Sequence, residues 1–323
     1  MSSAEAVTAV IEAGGAHVPA LMDALEERLL EVSCSHGAVL GKHAQATISA
    51  GGKRLRPLLV FLSAGPSRAE RPGVLRAGVA VELIHSATLV HDDVLDHAPL
   101  RRGRPTVMAM AGRDMATATG DLLFSRAFAE LVANGSAVQI RVLSRAASAL
   151  AHGELMQRAD AWGADTTRER YLERCDLKTA RLFEAACRLG ALQTGADVER
   201  LGAFGRRIGL AFQLLDDVLD ISGPTARTGK HRGTDLLDGT VTLPFILARQ
   251  RDHGLRALDV RTITQPEHAE QICDAIAATG ALETAREQAL EMVAEAKRGL
   301  PFLPEEQRAA LDLVADGVVD RYS

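Results

Sequence analysis

The pentapeptide DDVLD occurs twice, at 92–96 and 216–220, and each copy closes an apolar segment of helical period. Ahead of the first copy, Leu75, Val79, Leu83, Ile84, Leu89, Val90 and Val94 recur largely at three- and four-residue steps. Successive residues of a helix turn by about 100°, so Asp92, Asp93 and Asp96 share one sector at its C-terminal end. At ~6 Å and an effective dielectric of ~20, each pair of like charges costs roughly 3 kcal/mol. The helix dipole adds to the cost, because a helix C-terminus disfavours negative charge. Two such helices buried in one core bring their acidic ends together. Six carboxylates then surround a cavity, and something cationic must compensate.

The rest of the chain is consistent with that arrangement. Helical patterns run from about 18 to 32, 120 to 133, 137 to 158, 167 to 194 and 197 to 221. The two-residue alternation of strands is sustained nowhere. Thr166 with Glu169 predicts a capping box, and Pro57 predicts the first turn of a helix running through PLLVFLSAG. Breaks fall at 65–73, 98–105, 162–165 and 223–239, with no low-complexity linker. The expectation is one all-helical domain over 1–323, of about a dozen helices.

Apolar residues make up 47 % of the chain and aromatics only 3 %, and the net charge is -5. That balance offers no general attraction to nucleic acid or anionic membrane, so basic function must be local. Cys34, Cys175, Cys187 and Cys273 show no paired spacing and read as free thiols. The N-terminal stretch lacks a basic region followed by a long apolar one, and no uncharged apolar run reaches ~18 residues. A soluble, cytoplasmic protein is expected.

The ligands offered by the acidic clusters are all oxygen, which suits a hard cation. They sit on helices and lack the glycine turn of an EF-hand loop. Mg²⁺ is commonly held by one or two carboxylates together with substrate phosphates, so the implied ligand is phosphorylated. GGKRLRP (51–57) sets Lys53, Arg54 and Arg56 behind a double glycine and ahead of a helix start, an arrangement that favours phosphate. Arg101 and Arg102 either salt-bridge the aspartates or bind further phosphate oxygens. His85, two turns before Asp92, is either a core histidine or part of the site. Lys178 and Thr179 follow in DLKTARLF, and Lys230 follows the second cluster.

Taken in order, GGKRLRP, ELIHSATLVHDDVLD with RRGRPT, GDLLFSRAF, GELMQ, KTARLFEAAC, GLAFQLLDDVLD and GKHRGTDL…TLP resemble the trans-prenyl diphosphate synthases of the polyprenyl synthetase family. The resemblance covers most of the chain. It implies an all-α bundle around a deep central cavity, Mg²⁺ dependence and a homodimer. The substrates it implies are isopentenyl diphosphate and an allylic diphosphate. Asp92, Asp93, Asp96, Asp216, Asp217 and Asp220 would hold the metal ions. Arg101, Lys178 and Lys230 would contact the allylic diphosphate, with Thr179 and Gln213 lining the reacting centre. Lys53, Arg56, His85 and Arg102 would hold isopentenyl diphosphate. One departure stands out: Thr240 occupies the position, two before TLP, where the family often has lysine.

A terpene cyclase would share the first acidic motif but typically carries a different second one and lacks the isopentenyl site. A non-catalytic partner subunit should have lost one cluster. Product length follows from the helix ending in Asp92. Thr88 and Ala87 lie about one turn below the metals, with Ile84 a turn deeper. None is aromatic, so a prenyl tail is expected to pass and the product to exceed geranylgeranyl length. The alternative is that Phe124 or Phe128 closes the cavity from the neighbouring helix.

Overall fold

The computed structural model describes residues 3–34, 37–66, 71–223 and 232–320. The order is α1 (Ser3–Ala13), α2 (His17–Cys34), α3 (Ala38–Ser49), α4 (Leu55–Ala64) and α5 (Pro72–Leu95), then α6 (Val107–Val132) and α7 (Ala137–Ala159). Next come α8 (Arg168–Cys175), a π-helical turn (Asp176–Ala180), α9 (Arg181–Thr194) and α10 (Val198–Ser222). The chain ends in α11 (Thr234–Leu237), α12 (Leu243–Arg251), α13 (His253–Ala257), α14 (Pro266–Ala278), α15 (Ala281–Gly299) and α16 (Glu305–Asp320). The fold is all-α. Among the described residues the only strands are the two-residue pair Leu100–Arg101 and Arg104–Pro105, an antiparallel clip after the first acidic cluster.

Apolar spacing places α5 at the centre. Val74, Ala77, Val79, Ala80, Val81, Leu83, Ile84 and Ala87 are all fully buried, and α5 packs along α6 and against α4 and α9. The helix is long and apolar enough to cross a membrane, yet 67 % of its apolar window is buried inside the bundle. The second acidic helix, α10, lies on α9 on one side and α15 on the other. One hydrophobic cluster runs from Val10 on α1 to Val318 on α16. Removing this much apolar surface from water is the main source of stability.

Three local expectations change. The cap of α8 is Thr167, whose hydroxyl accepts from the Arg170 amide at 3.2 Å, while Thr166 donates to the Gly163 carbonyl at 2.7 Å. A threonine one residue later fits the same capping geometry, and the sequence pattern alone does not separate the two. The segment from 167 to 194 is three pieces, because the helix widens into the π turn at Asp176–Ala180. The third concerns 98–105, read as a loop, where the two short strands form.

The π turn is wedged between neighbours. A Cβ at Gly153 on α7 would lie 2.5 Å from the Lys178 amide nitrogen, and one at Gly209 on α10 would lie 2.7 Å from the Ala180 Cα. Only glycine allows both helices so close. A π turn inserted in an α-helix commonly marks a functional position, and here it carries Lys178 and Thr179.

Candidate active site

The C-terminal end of α5, the C-terminal half of α7 and the π turn face a cavity of about 480 Å³. Its polar lining includes Arg56, His85, Asp92, Glu154, Lys178 and Thr179; its apolar lining includes Leu89, Phe124, Leu150 and Leu182. Residues as far apart in sequence as Arg56 and Leu182 thus share one space. A smaller cavity of about 220 Å³, on the other side of Leu89, is lined by Glu82, Ser86, Asp93, Arg101 and Arg102.

Alternating charges surround the first acidic cluster. Lys178 Nζ donates to Glu154 Oε2. Arg158 donates to Glu154 Oε1 at 2.9 Å and to Asp96 Oδ1 at 2.5 Å, and also reaches the Leu95 carbonyl at 3.1 Å. Arg101 donates to Asp93 Oδ1 at 2.6 Å. Arg158 and Arg101 thus answer the charge and helix-dipole problem posed by the sequence. Asp92 is treated differently. Burial pushes its carboxyl up to about 6, with Glu154 and Asp96 adding to the shift and Lys178 opposing it. Burial would also raise Glu154, but Lys178 and Arg158 outweigh it and hold it below the usual range.

The second cluster hangs from a chain of hydrogen bonds. Thr179 Oγ1 donates to Gln213 Oε1 at 2.7 Å, and Gln213 Nε2 donates to Asp217 Oδ1 at 2.8 Å. The buried Tyr171 hydroxyl donates to Asp217 Oδ2 at 2.6 Å. Burial, with Asp235 nearby, pushes Asp217 up to about 8, against the pull of these two donors. The Asp220 carboxylate accepts from the Asp235 amide at 3.2 Å, which ties the start of α11 back to α10. Asp216 is half-buried beside Asp217. Because Lys178 and Thr179 are adjacent in sequence, the π turn joins the two clusters, Lys178 beside Asp92 and Thr179 leading to Asp217.

Among the predicted basic residues, Arg56 is half-buried with its guanidinium 4.7 Å from the Phe183 ring centroid. Burial pushes it down to about 10, against the pull of Glu82 and with the help of Arg102. Burial and the guanidinium groups of Arg56, Arg102 and Arg101 push His85 well below the usual imidazole range, so it is neutral. Lys53 is exposed in the turn before α4, and Arg102 lies against Gly52. Arg54, grouped with these by sequence, does something else. It is buried in the left-handed conformation and binds Glu26 at 2.6 Å, Glu82 at 2.8 Å and the Ile48 carbonyl at 2.9 Å. It is a structural cation. Lys230 lies outside the described residues. Thr240 is half-buried, its amide donating to the Asp235 carbonyl at 2.7 Å. Ile84 and Ala87 are fully buried in the core, whereas Thr88 reaches the cavity.

A polyprenyl synthetase family model matches residues 38–279. The chain belongs to the polyprenyl synthetase family. It is 40 % identical over 265 residues to heptaprenyl diphosphate synthase component 2 of Geobacillus stearothermophilus, covering 80 % of this chain and 82 % of that one. It is 34 % identical over 291 residues to the octaprenyl diphosphate synthase of Escherichia coli K12, covering 88 % and 90 %. The polyprenyl synthase of Caulobacter crescentus CB15, solved with calcium and isoprenyl diphosphate, superposes with a TM-score of 0.90 at 33 % identity, covering 100 % of this chain and 99 % of that one. As a member of the family the chain is an enzyme, a transferase of prenyl groups.

The site suits the divalent cation that such synthases use. The donors are carboxylate oxygens only, and Asp92 is raised by burial beside two other carboxylates, so positive charge there relieves it. Among the described residues, however, no three acidic, histidine or cysteine side chains already converge on one point. Asp93, Asp96 and Asp217 are held by Arg101, Arg158 and the Tyr171–Gln213 pair. Glu154, Arg158 and Tyr171 escape motif reasoning on single residues, although Glu154 stands inside GELMQ.

Proposed function

We propose that this enzyme condenses isopentenyl diphosphate head-to-tail with an allylic diphosphate in the presence of Mg²⁺, giving an all-trans polyprenyl diphosphate longer than geranylgeranyl. The observation that carries the reading is the shared cavity: Arg56, His85, Asp92, Lys178 and Thr179 beside a wall of Leu89, Phe124, Leu150 and Leu182. One part suits a diphosphate and the other an isoprenoid chain. The names of the two relatives and the ligands of the Caulobacter structure support the same reading.

Asp92, Asp93, Asp96, Asp216, Asp217 and Asp220 would hold Mg²⁺, whose charge would neutralise the departing diphosphate. Lys178 and Arg101 add fixed positive charge on the same side. The allylic C–O bond breaks and its electron pair leaves with diphosphate. The Thr179 hydroxyl, its proton committed to Gln213, turns lone pairs toward the cation. Arg56, Lys53, His85 and Arg102 hold isopentenyl diphosphate so that its double bond supplies the electrons of the new C–C bond. The proton released from the adduct passes to an oxygen of the freed diphosphate. A neutral His85 suits this site, since it binds without adding to the crowded charge of three arginines.

The active form is proposed as a cytoplasmic homodimer. A second reading rests on one relative's description as component 2, which suggests pairing with an unlike chain. Light scattering of the purified chain, with an elongation assay on the same sample, tests both. An active dimer supports the first reading; a chain that elongates only after a second polypeptide is added supports the other.

A further inference from the structure

Asp93, Asp96 and Asp217 are each held by donors of the protein itself: Arg101, Arg158, and Tyr171 with Gln213. A divalent cation that takes one of these carboxylates must displace its donor. Exposure decides which of them can yield. The Asp93 side chain is 7 % exposed and Asp217 is 3 % exposed. Parting a buried charge from its partner leaves it uncompensated, which is strongly unfavourable. Asp96 differs, with its side chain 49 % exposed and that of Arg158 38 % exposed. Water serves either group when they separate, and so exposed a pair is weak.

Arg158 stands in the last turn of α7. Its guanidinium forks over three acceptors on two helices: Glu154 Oε1 at 2.9 Å, the Leu95 carbonyl at 3.1 Å and Asp96 Oδ1 at 2.5 Å. Giving up Asp96 leaves the other two bonds in place, so the cation stays beside the site. Glu154 is itself fixed, because its second oxygen accepts from Lys178. On α5 the Asp96 amide donates to the Asp92 carbonyl at 2.8 Å, so the helix runs on to Asp96 and sets these two carboxylates one turn apart on one face. Asp92 faces the cavity, whereas Asp96 turns to α7. A cation shared by both requires Asp96 to swing away from Arg158.

Resting on the proposed metal-dependent elongation, we infer that Arg158 is a positioning residue of the first acidic cluster: in the empty site its guanidinium holds the Asp96 carboxylate against α7, and a divalent cation must take Asp96 from it. One cation replaces another, so Asp96 stays compensated throughout the exchange. Arg158 thereby raises the metal concentration at which the cluster fills.

The test is a titration of the substrate-free full chain with Mn²⁺, following the free ion by electron paramagnetic resonance, for wild type, Arg158→Met, Arg158→Lys, Asp96→Asn and the double variant Arg158→Met with Asp96→Asn. Arg158→Met should lower the dissociation constant for Mn²⁺ about two- to fivefold, the range expected on losing an exposed ion pair. Arg158→Lys should fall between the two, since an ammonium keeps the charge and loses the fork. In the Asp96→Asn background the Arg158→Met substitution should have no effect, because the pair it breaks is already gone. Affinity that is unchanged or weaker in Arg158→Met would overturn the inference, as would a tightening that persists in full without Asp96. Should Arg158→Met fail to fold, the sign of the Arg158→Lys change decides. Mn²⁺ bound by neither wild type nor any variant would overturn the proposed metal site itself, whereas Mn²⁺ bound equally by all would overturn the role of Arg158 alone.

Discussion

Replacing Asp92 with asparagine should make the unliganded protein more stable while removing its activity. The carboxyl is raised from an ordinary 3.8 to about 6, chiefly by burial and then by Glu154 and Asp96, net of the opposing pull of Lys178. At 1.36 kcal/mol per unit, a shift of about two units means that keeping Asp92 ionised costs up to ~3 kcal/mol of folding free energy. The folded value lies above the unfolded one. The favourable contribution is therefore complete below about 3.8 and is lost as the pH rises through about 6. Asparagine keeps the shape and removes the charge. In EDTA at pH 8, urea unfolding should show Asp92→Asn more stable by up to ~3 kcal/mol. With an unfolding entropy of ~2.1 cal/mol/K per residue, that corresponds to roughly 4 °C in Tm. The gain should shrink as the pH is lowered from 8 to 5. Turnover should fall by several orders of magnitude at every pH, because ionisation of the allylic substrate loses its electrostatic support. A variant less stable than wild type at pH 8, or a gain that does not change between pH 8 and 5, would refute the reasoning.

Two further outcomes follow from the charges around the cavity. Lys53→Ala or Arg56→Ala should chiefly raise KM for isopentenyl diphosphate, whereas Lys178→Ala should act on the allylic substrate and on kcat; steady-state kinetics with each substrate varied in turn would expose a reversed pattern. EDTA should abolish elongation and Mg²⁺ should restore it, so full turnover in excess chelator would end the metal assignment.

Much of this molecule is legible in its sequence because helical period and acidic spacing are local properties. The patterns ending in Asp96 and Asp220 identify α5 and α10, and the basic residues between them identify one side of a cavity. Partner choice is not local. Arg54 and Arg56 stand two residues apart in a basic loop. Arg54, in the left-handed conformation just before α4, enters a buried pair with Glu82, while Arg56 in the first turn of α4 reaches the cavity. Glu154 and Arg158 read as an ordinary i, i+4 pair on α7, and only packing against the π turn and α5 joins them to Lys178 and Asp96. Tyr171 reads as a core aromatic, and it is one, except that its hydroxyl ends on Asp217. Phe124 could be proposed as a cavity wall from sequence, but its depth depends on the register between α5 and α6, which no pattern along a single helix contains.

The central claim is chain elongation in the cavity between α5, α7 and the π turn. Its most direct test is incubation of the purified chain with Mg²⁺, radiolabelled isopentenyl diphosphate and farnesyl diphosphate, followed by chromatography of the acid-stable and the dephosphorylated products. Label is expected in all-trans prenyl alcohols longer than geranylgeraniol after dephosphorylation, and none when EDTA replaces Mg²⁺. Label remaining in isopentenyl diphosphate, or farnesyl diphosphate converted to an unlabelled hydrocarbon, would contradict that claim.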